Sequence, residues 1–338
     1  MIGLPDVIAL IMLLSLVLYV LLGGADFGGG LWDLLARGPR AEAQRRLIER
    51  AIAPMWEANH VWLILVVVLL FSGFPRAFAV AATALHVPLS LMLLGIVLRG
   101  SAFTFRHYGA GAGARRWGRV FAGASVFTPI FLGMTLGAVS AGEIRARGGL
   151  VEGGFFAPWI GLFPLSVGLL ALALFAFLAA VYLCCEAEEA ALQDDFRRRA
   201  LGAGVAVGPA ALLGGLSAAG EAAHFKDALL HAPWSWPLQI ATGAVAIGAL
   251  AALYGRRYPL ARACAIGQAT LIVMGWGLAQ RPYLIVPDVT IAGAAAPAVT
   301  LRLLLGALVL GALVLVPSLG VLFRVFKQRR DSGASPPH

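Results

Sequence analysis

Charge is scarce in this sequence. Only 13% of its 338 residues are Asp, Glu, Lys or Arg, about half the share usual in a soluble domain. Together with a hydrophobic content of 60%, that shortage excludes an ordinary water-soluble enzyme and a disordered chain. Lysine is nearly missing, with Lys226 and Lys327 against 24 Arg. Three cysteines, Cys184, Cys185 and Cys264, are too few, and odd in number, for a disulfide framework. Of the six histidines only His60 and His86 fall inside apolar runs, a poor supply of axial ligands for haem. There is no CxxCH, no Walker A loop and no HExxH string, so the common haem, nucleotide and zinc motifs are missing. No repeat of 20–50 residues is visible either.

What the sequence does have is long apolar runs. About 20 apolar residues cross the roughly 30 Å of hydrocarbon in a bilayer. Nine stretches meet that length, at about 7–24, 53–72, 77–98, 120–141, 156–184, 200–219, 236–254, 262–280 and 302–323. The fold class expected is therefore an all-α integral membrane protein with nine transmembrane helices. A net charge of +9 suits nucleic acid or a membrane surface, and the apolar content decides for the membrane. Sorting the basic residues by loop places 20 on one side, in the segments after spans one, three, five, seven and nine, and six on the other. The positive-inside rule then predicts a cytoplasmic C-terminus and an outside N-terminus. No basic residue precedes the first span, and Asp6 stands where a signal peptide would be positive, so that span is expected to stay. The chain reads as one membrane domain over 1–330, with 331–338 a short polar tail expected to be disordered.

An ionisable group inside a bilayer costs about 2.5–3.5 kcal/mol, so the few present ask for a reason. Asp26 closes the first span in Gly23-Gly24-Ala25-Asp26-Phe27-Gly28-Gly29-Gly30, and Pro54-Met55-Trp56-Glu57-Ala58-Asn59-His60 opens the second. Pro54 suits a first helical turn, and Glu57 in that turn suits the positive helix end. Glu57 and His60, three apart, share a helix face. Two readings stand. Asp26 and Glu57 form a proton-accepting pair at a cytoplasmic entrance, or Glu57 caps its helix and Asp26 pairs with a loop arginine. Arg99 closes the third span, either snorkelling or pairing with one of these acids. His86 reads as a packing residue or a haem ligand.

At these residues the chain resembles the second subunit of cytochrome bd-type quinol oxidases, the family that includes the cyanide-insensitive oxidases. The resemblance rests on Asp26-Phe27-Gly28, on Ile52-Ala53-Pro54-Met55-Trp56-Glu57-Ala58-Asn59 and on Phe71-Ser72-Gly73-Phe74-Pro75. It continues through Leu98-Arg99-Gly100-Ser101-Ala102-Phe103-Thr104-Phe105-Arg106, the segment from Gly275-Trp276-Gly277 through Gln280, Pro282 and Tyr283, and Pro287-Asp288-Val289-Thr290-Ile291. It implies two four-helix halves, about 1–142 and 150–281, with a peripheral ninth helix at 300–326. It also implies a haem-free chain in the bacterial cytoplasmic membrane, packed against a haem-bearing subunit I. Haems b and d belong to that partner, and quinol and dioxygen are the substrates of the pair. A structural quinone or lipid, and small single-span accessory subunits, fit the same picture. Asp26, Glu57, Asn59, His60 and Arg99 become members of a proton path. Trp56, Arg106, Gly275, Trp276, Gln280, Pro282, Tyr283 and Asp288 become structural motif positions. Two departures stand out: Trp-Glu-Ala-Asn replaces the usual Trp-Asp-Gly-Asn, and Thr104 stands where the family has an acid. A secondary transporter of a small solute or ion is the alternative, because transporters also use intramembrane acids and glycine-broken helices.

Overall fold

The computed structural model describes residues 3–108, 111–147, 150–152 and 154–331, without the side chains of 52–58, 107–108, 111–112, 114–115, 150, 316 and 319–331. Trp56, Glu57 (as side chains) and the tail from 332 lie outside the described residues. Among these residues eight helices are long and apolar enough to cross a membrane, or nine when one bent pair counts as a single span.

Helix α1 (Leu4–Leu34) is apolar on all sides, which is the pattern of a helix surrounded by others. It packs against α2 (Ala41–Gly73), α5 (Gly111–Ala141), α6 (Leu162–Glu186) and α10 (Tyr258–Gln280). Its glycine run makes this possible. A Cβ on Gly28 would lie 2.0 Å from the Phe175 carbonyl oxygen of α6, and one on Gly30 would lie 2.1 Å from Ser125 Oγ of α5.

Two expectations about the first half need correction. α2 begins at Ala41, twelve residues before the expected span, because residues 41–52 combine strong helix formers with Leu47 and Ile48 for burial. Pro54 and Glu57 are therefore interior to a helix rather than in its first turn. The run 77–98 is not one helix. The chain turns by 116° at the Gly73–Pro75 corner into α3 (Pro75–Ala84) and breaks again before α4 (His86–Tyr108). Phe74 and Leu85, both fully buried, anchor the two corners, and Pro75 takes a first helical position where its missing N–H is no loss. The third crossing segment is therefore 86–106. Ten residues of α3 span only about 15 Å.

The chain continues through a hairpin of β1 (Arg145–Arg147) and β2 (Leu150–Glu152), which the apolar-run reading did not foresee. α6 starts at Leu162 rather than 156, where Glu221 accepts hydrogen bonds from the backbone N–H groups of Leu162 (3.0 Å) and Phe163 (2.8 Å). α7 (Ala190–Glu221), the short surface helix α8 (Ala223–His231) and α9 (Ser235–Tyr254) lead into α10. A second hairpin of β3 (Tyr283–Ile285) and β4 (Val289–Thr290), the single turn α11 (Ile291–Ala294) and the outer helix α12 (Ala298–Asp331) complete the order. The contacts repeat: α1 packs on α2 and α5, with α4 on α5, while α6 packs on α7 and α10, with α9 on α10. The two sets meet along α6, which packs on both α1 and α5; α12 touches α1 and α2.

Candidate functional site

Asp26 is fully buried, two turns from the end of α1. α4 brings Arg99 to it. Nη2 donates to Oδ1 at 2.5 Å and to the Asp26 carbonyl at 3.0 Å, and Nη1 donates to Oδ2 at 2.7 Å. Arg99 Nε donates to Ser125 Oγ (2.9 Å), which donates to the Phe121 carbonyl at 2.7 Å. The guanidinium lies between the rings of Phe27 (4.9 Å) and Phe121 (4.7 Å). From α2, Asn59 Nδ2 donates to Asp26 Oδ2 at 2.8 Å. A bidentate pair with extra hydrogen bonds is what a buried charge requires. The loop-arginine alternative for Asp26 is thus replaced by pairing with Arg99, which does not snorkel. His60, half-buried, follows Asn59 on α2.

A second pair lies seven residues further along both helices. Arg106 donates to Asp33 through Nη1 (2.9 Å) and Nη2 (3.2 Å), and Arg45 Nε comes within 3.9 Å of the same carboxylate. Seven residues are two turns, about 10.5 Å, so Asp26/Arg99 and Asp33/Arg106 are successive rungs between α1 and α4. Asp33 lay just beyond the apolar run and was missed. The matched spacing Asp26–Asp33 and Arg99–Arg106 was the available signal. Thr104, at the position of the family's acid, is exposed and donates to the Gly100 carbonyl of its own helix (3.3 Å). It belongs to neither rung.

The end of the bundle that holds Asp33 is rich in arginine. Arg40 forks onto Asp195 (2.8 and 2.6 Å), Gln44 donates to the same carboxylate (2.8 Å), and Arg199 donates to Gln44 (2.7 Å) while stacking on Trp32 and Phe196. These contacts tie the α1–α2 connection to α7. Nearby, a cavity of about 30 Å³ touches Ala25 and Gly29 and is walled by Tyr182, Glu186 and Arg262. It is large enough for one or two waters.

The late motif positions act at the opposite end. Gly275 and Gly277 admit Leu238 and Leu13, which would lie 2.9 and 2.5 Å from added Cβ atoms. Trp276 Nε1 donates to Ser140 Oγ (3.0 Å), Ser140 Oγ donates to Gln280 Oε1 (2.8 Å), and Gln280 Nε2 donates to the Val139 carbonyl (3.0 Å). The Arg281–Pro282 peptide is cis, and Pro282 accepts a backbone hydrogen bond from Ile291 (2.9 Å). Tyr283 meets His224 edge to face. Asp288 accepts from Arg145 (3.0 and 3.2 Å) and from the Ala146 N–H (2.9 Å). Burial alone would raise the Asp288 carboxyl, but the Ala146 and Arg145 hydrogen bonds and the charges of Arg145 and Arg147 outweigh it and hold the group below its usual range. His86 opens α4 at the surface with Nδ1 2.9 Å from the Thr83 carbonyl. Between α1, α3, α5 and α10 runs an apolar cleft of about 360 Å³, with Asp6, Arg281 and Tyr283 among its polar lining residues.

Comparison with known proteins agrees with this architecture. The family model for cytochrome bd terminal oxidase subunit II matches residues 4–326. A Bacillus subtilis (strain 168) protein named as a candidate cytochrome bd menaquinol oxidase subunit II is 27% identical over 329 residues, 91% of each chain. The cytochrome bd-I ubiquinol oxidase subunit 2 of Escherichia coli (strain K12) is 32% identical over 83 residues, 25% of this chain and 21% of that one. A bd oxidase chain from Geobacillus thermodenitrificans superposes with a TM-score of 0.81 at 23% identity, covering 96% of this chain and 98% of that one. The chain belongs to the cytochrome bd terminal oxidase subunit II family.

Proposed function

We propose that this chain is the haem-free subunit of a bd-type quinol:dioxygen oxidoreductase, assembled with a haem-bearing subunit I, and that it carries protons inward from the cytoplasm. The observation that supports this most is the pair of acid–arginine rungs on α1 and α4. A stack of charged groups leading from an arginine-rich end to a fully buried carboxylate is costly in a membrane protein. A chain used only as scaffold would be more stable with apolar residues there. In this reading Asp33 receives the proton, Asp26 holds it inside, and Arg99 and Asn59 set the carboxylate's position. Glu57 and His60 belong to the same stretch of α2. The grouping of Arg40, Arg45, Arg106 and Arg199 at one end supports a cytoplasmic C-terminus and an outside N-terminus by the positive-inside rule. The apolar cleft, lined mostly by aliphatic side chains, suits the chain of a structural quinone or a lipid.

The test is made in the assembled complex. Asp26→Asn keeps the shape and one acceptor but cannot carry a proton as a carboxylate does. It should lower oxygen consumption with quinol by at least about tenfold, with the haem spectrum and subunit ratio unchanged. Unchanged turnover would remove Asp26 from the path, and the same result for Glu57→Gln would remove Glu57.

A further inference from the structure

On α1, Ser15, Tyr19, Gly23, Asp26, Gly30 and Asp33 succeed one another at steps of three or four, so they line one face of the helix. Tyr19 stands two turns inward of Asp26, as Asp33 stands two turns outward. Its side chain is fully buried, and its ring lies along Gly23, where an added Cβ would be 3.4 Å from Cε2. Cζ lies 3.6 Å from the same position, so the ring runs along the helix from Tyr19 toward Asp26, the next residue on this face.

Among the described residues, Tyr19 Oη and Asn59 Oδ1 are buried with no hydrogen-bond partner. Buried polar atoms are nearly always paired; here one orphan sits on the amide that donates to Asp26, and the other belongs to the residue two turns along the Asp26 face of α1. Turning the Asn59 amide over would not help, because Oδ1 would then face the Asp26 carboxylate in place of the donating Nδ2. The two orphans are chemically matched to one water. A phenol O–H donates to a water oxygen, and a water O–H donates to an amide oxygen. The second water proton is left for a third acceptor, and buried waters typically make about three hydrogen bonds.

We propose that Tyr19 and Asn59 hold a buried water beside Asp26, and that Tyr19 is thereby a positioning residue for the proton carried there. The proposal rests on the reading of Asp26 as a proton carrier. The transfer balances simply: as the protonated Asp26 carboxyl gives its proton to the water oxygen, that water passes one of its own protons to a second water, its third hydrogen-bond partner, and Asp26 is left as the carboxylate paired with Arg99. Tyr19 and Asn59 are unchanged by the step. Their part is to hold the oxygen lone pair toward Asp26.

The experiment uses the assembled two-subunit oxidase carrying Tyr19→Phe, which keeps the ring and removes the hydroxyl. Expected are a fall in kcat of about tenfold, an unchanged KM for quinol, an unchanged haem spectrum and a larger solvent isotope effect on turnover. A purely packing role for Tyr19 would leave kcat and the isotope effect at parent values. With Asp26→Asn impaired alongside, that result overturns the proposal and leaves the proton reading standing. If Asp26→Asn is itself unimpaired, the proton reading falls and the proposal with it. Should Tyr19→Phe fail to assemble, a high-resolution map of the parent complex decides. Density within hydrogen-bonding distance of both Tyr19 Oη and Asn59 Oδ1 is expected, and a site empty of it contradicts the proposal.

Discussion

Removing Arg99 should be among the most damaging single changes in the protein. In Arg99→Ala the Asp26 carboxylate, fully buried, keeps one side-chain donor, Asn59, and loses three guanidinium hydrogen bonds between 2.5 and 3.0 Å counting that to its own carbonyl. An uncompensated buried charge of this kind costs about 3–5 kcal/mol. The lost contact with the Phe27 and Phe121 rings adds about 1 kcal/mol. Arg106→Ala provides the comparison, since its pair with Asp33 has the same chemistry but Arg106 is a quarter exposed. Partial screening should hold its cost to about 1 kcal/mol. The assay is detergent-induced unfolding of the purified complex followed by tryptophan fluorescence, for Asp26→Ala, Arg99→Ala and the double variant. The double variant should be less destabilised than the sum of the singles by about 2–3 kcal/mol, the range for groups in direct contact. If Arg99→Ala costs no more than Arg106→Ala, or the singles simply add, the pair is not the buried, mutually dependent unit described above.

Three further predictions follow from packing, capping and charge. Gly28→Ala should destabilise by about 1–3 kcal/mol, because its Cβ would meet the Phe175 backbone. Gly123→Ala, on an open helix surface, should stabilise by about 0.5–1 kcal/mol, and thermal unfolding of the two variants tests the contrast. Glu221→Ala strips the acceptor from two N–H groups at the start of α6 and should cost about 0.5–2 kcal/mol, read by the same melt. Asp288 is held below its usual range, so its contribution is present above the unfolded carboxyl value of about 3.9 and is lost as pH falls through the lower folded value. Asp288→Asn should therefore flatten the acid limb of the stability–pH profile, and an unchanged limb would contradict the assignment.

How much of this was legible in the sequence differs from element to element, for physical reasons. The crossing helices were readable because bilayer thickness imposes a length on apolar runs. The break before His86 was not, because residues 79–85 hold no glycine or proline to mark it. That turn is set by what Phe74 and Leu85 bury against in three dimensions. The early start of α2 was passed over for the opposite reason, since its first three turns are polar and an apolar-run search does not see them. At the site, Asp26 and Arg99 stood out as charges closing apolar spans, and the structure joins them. Asp33 lies past the apolar run and Arg106 entered only as a motif position, because the equal seven-residue spacing on two helices gains its meaning only when the helices lie side by side. Tyr19 carried no signal at all, because a tyrosine in an apolar helix is unremarkable until its hydroxyl is found without a partner.

The most direct test of the central claim is proton uptake itself. The complex, reconstituted in liposomes with a pH-sensitive dye on the side of the Asp33 end, is compared with its Asp26→Asn variant during quinol oxidation. The account predicts that uptake from that side and oxygen consumption fall together by at least about tenfold, with quinol KM and haem content unchanged. Uptake at the parent rate from that side in the variant would contradict it.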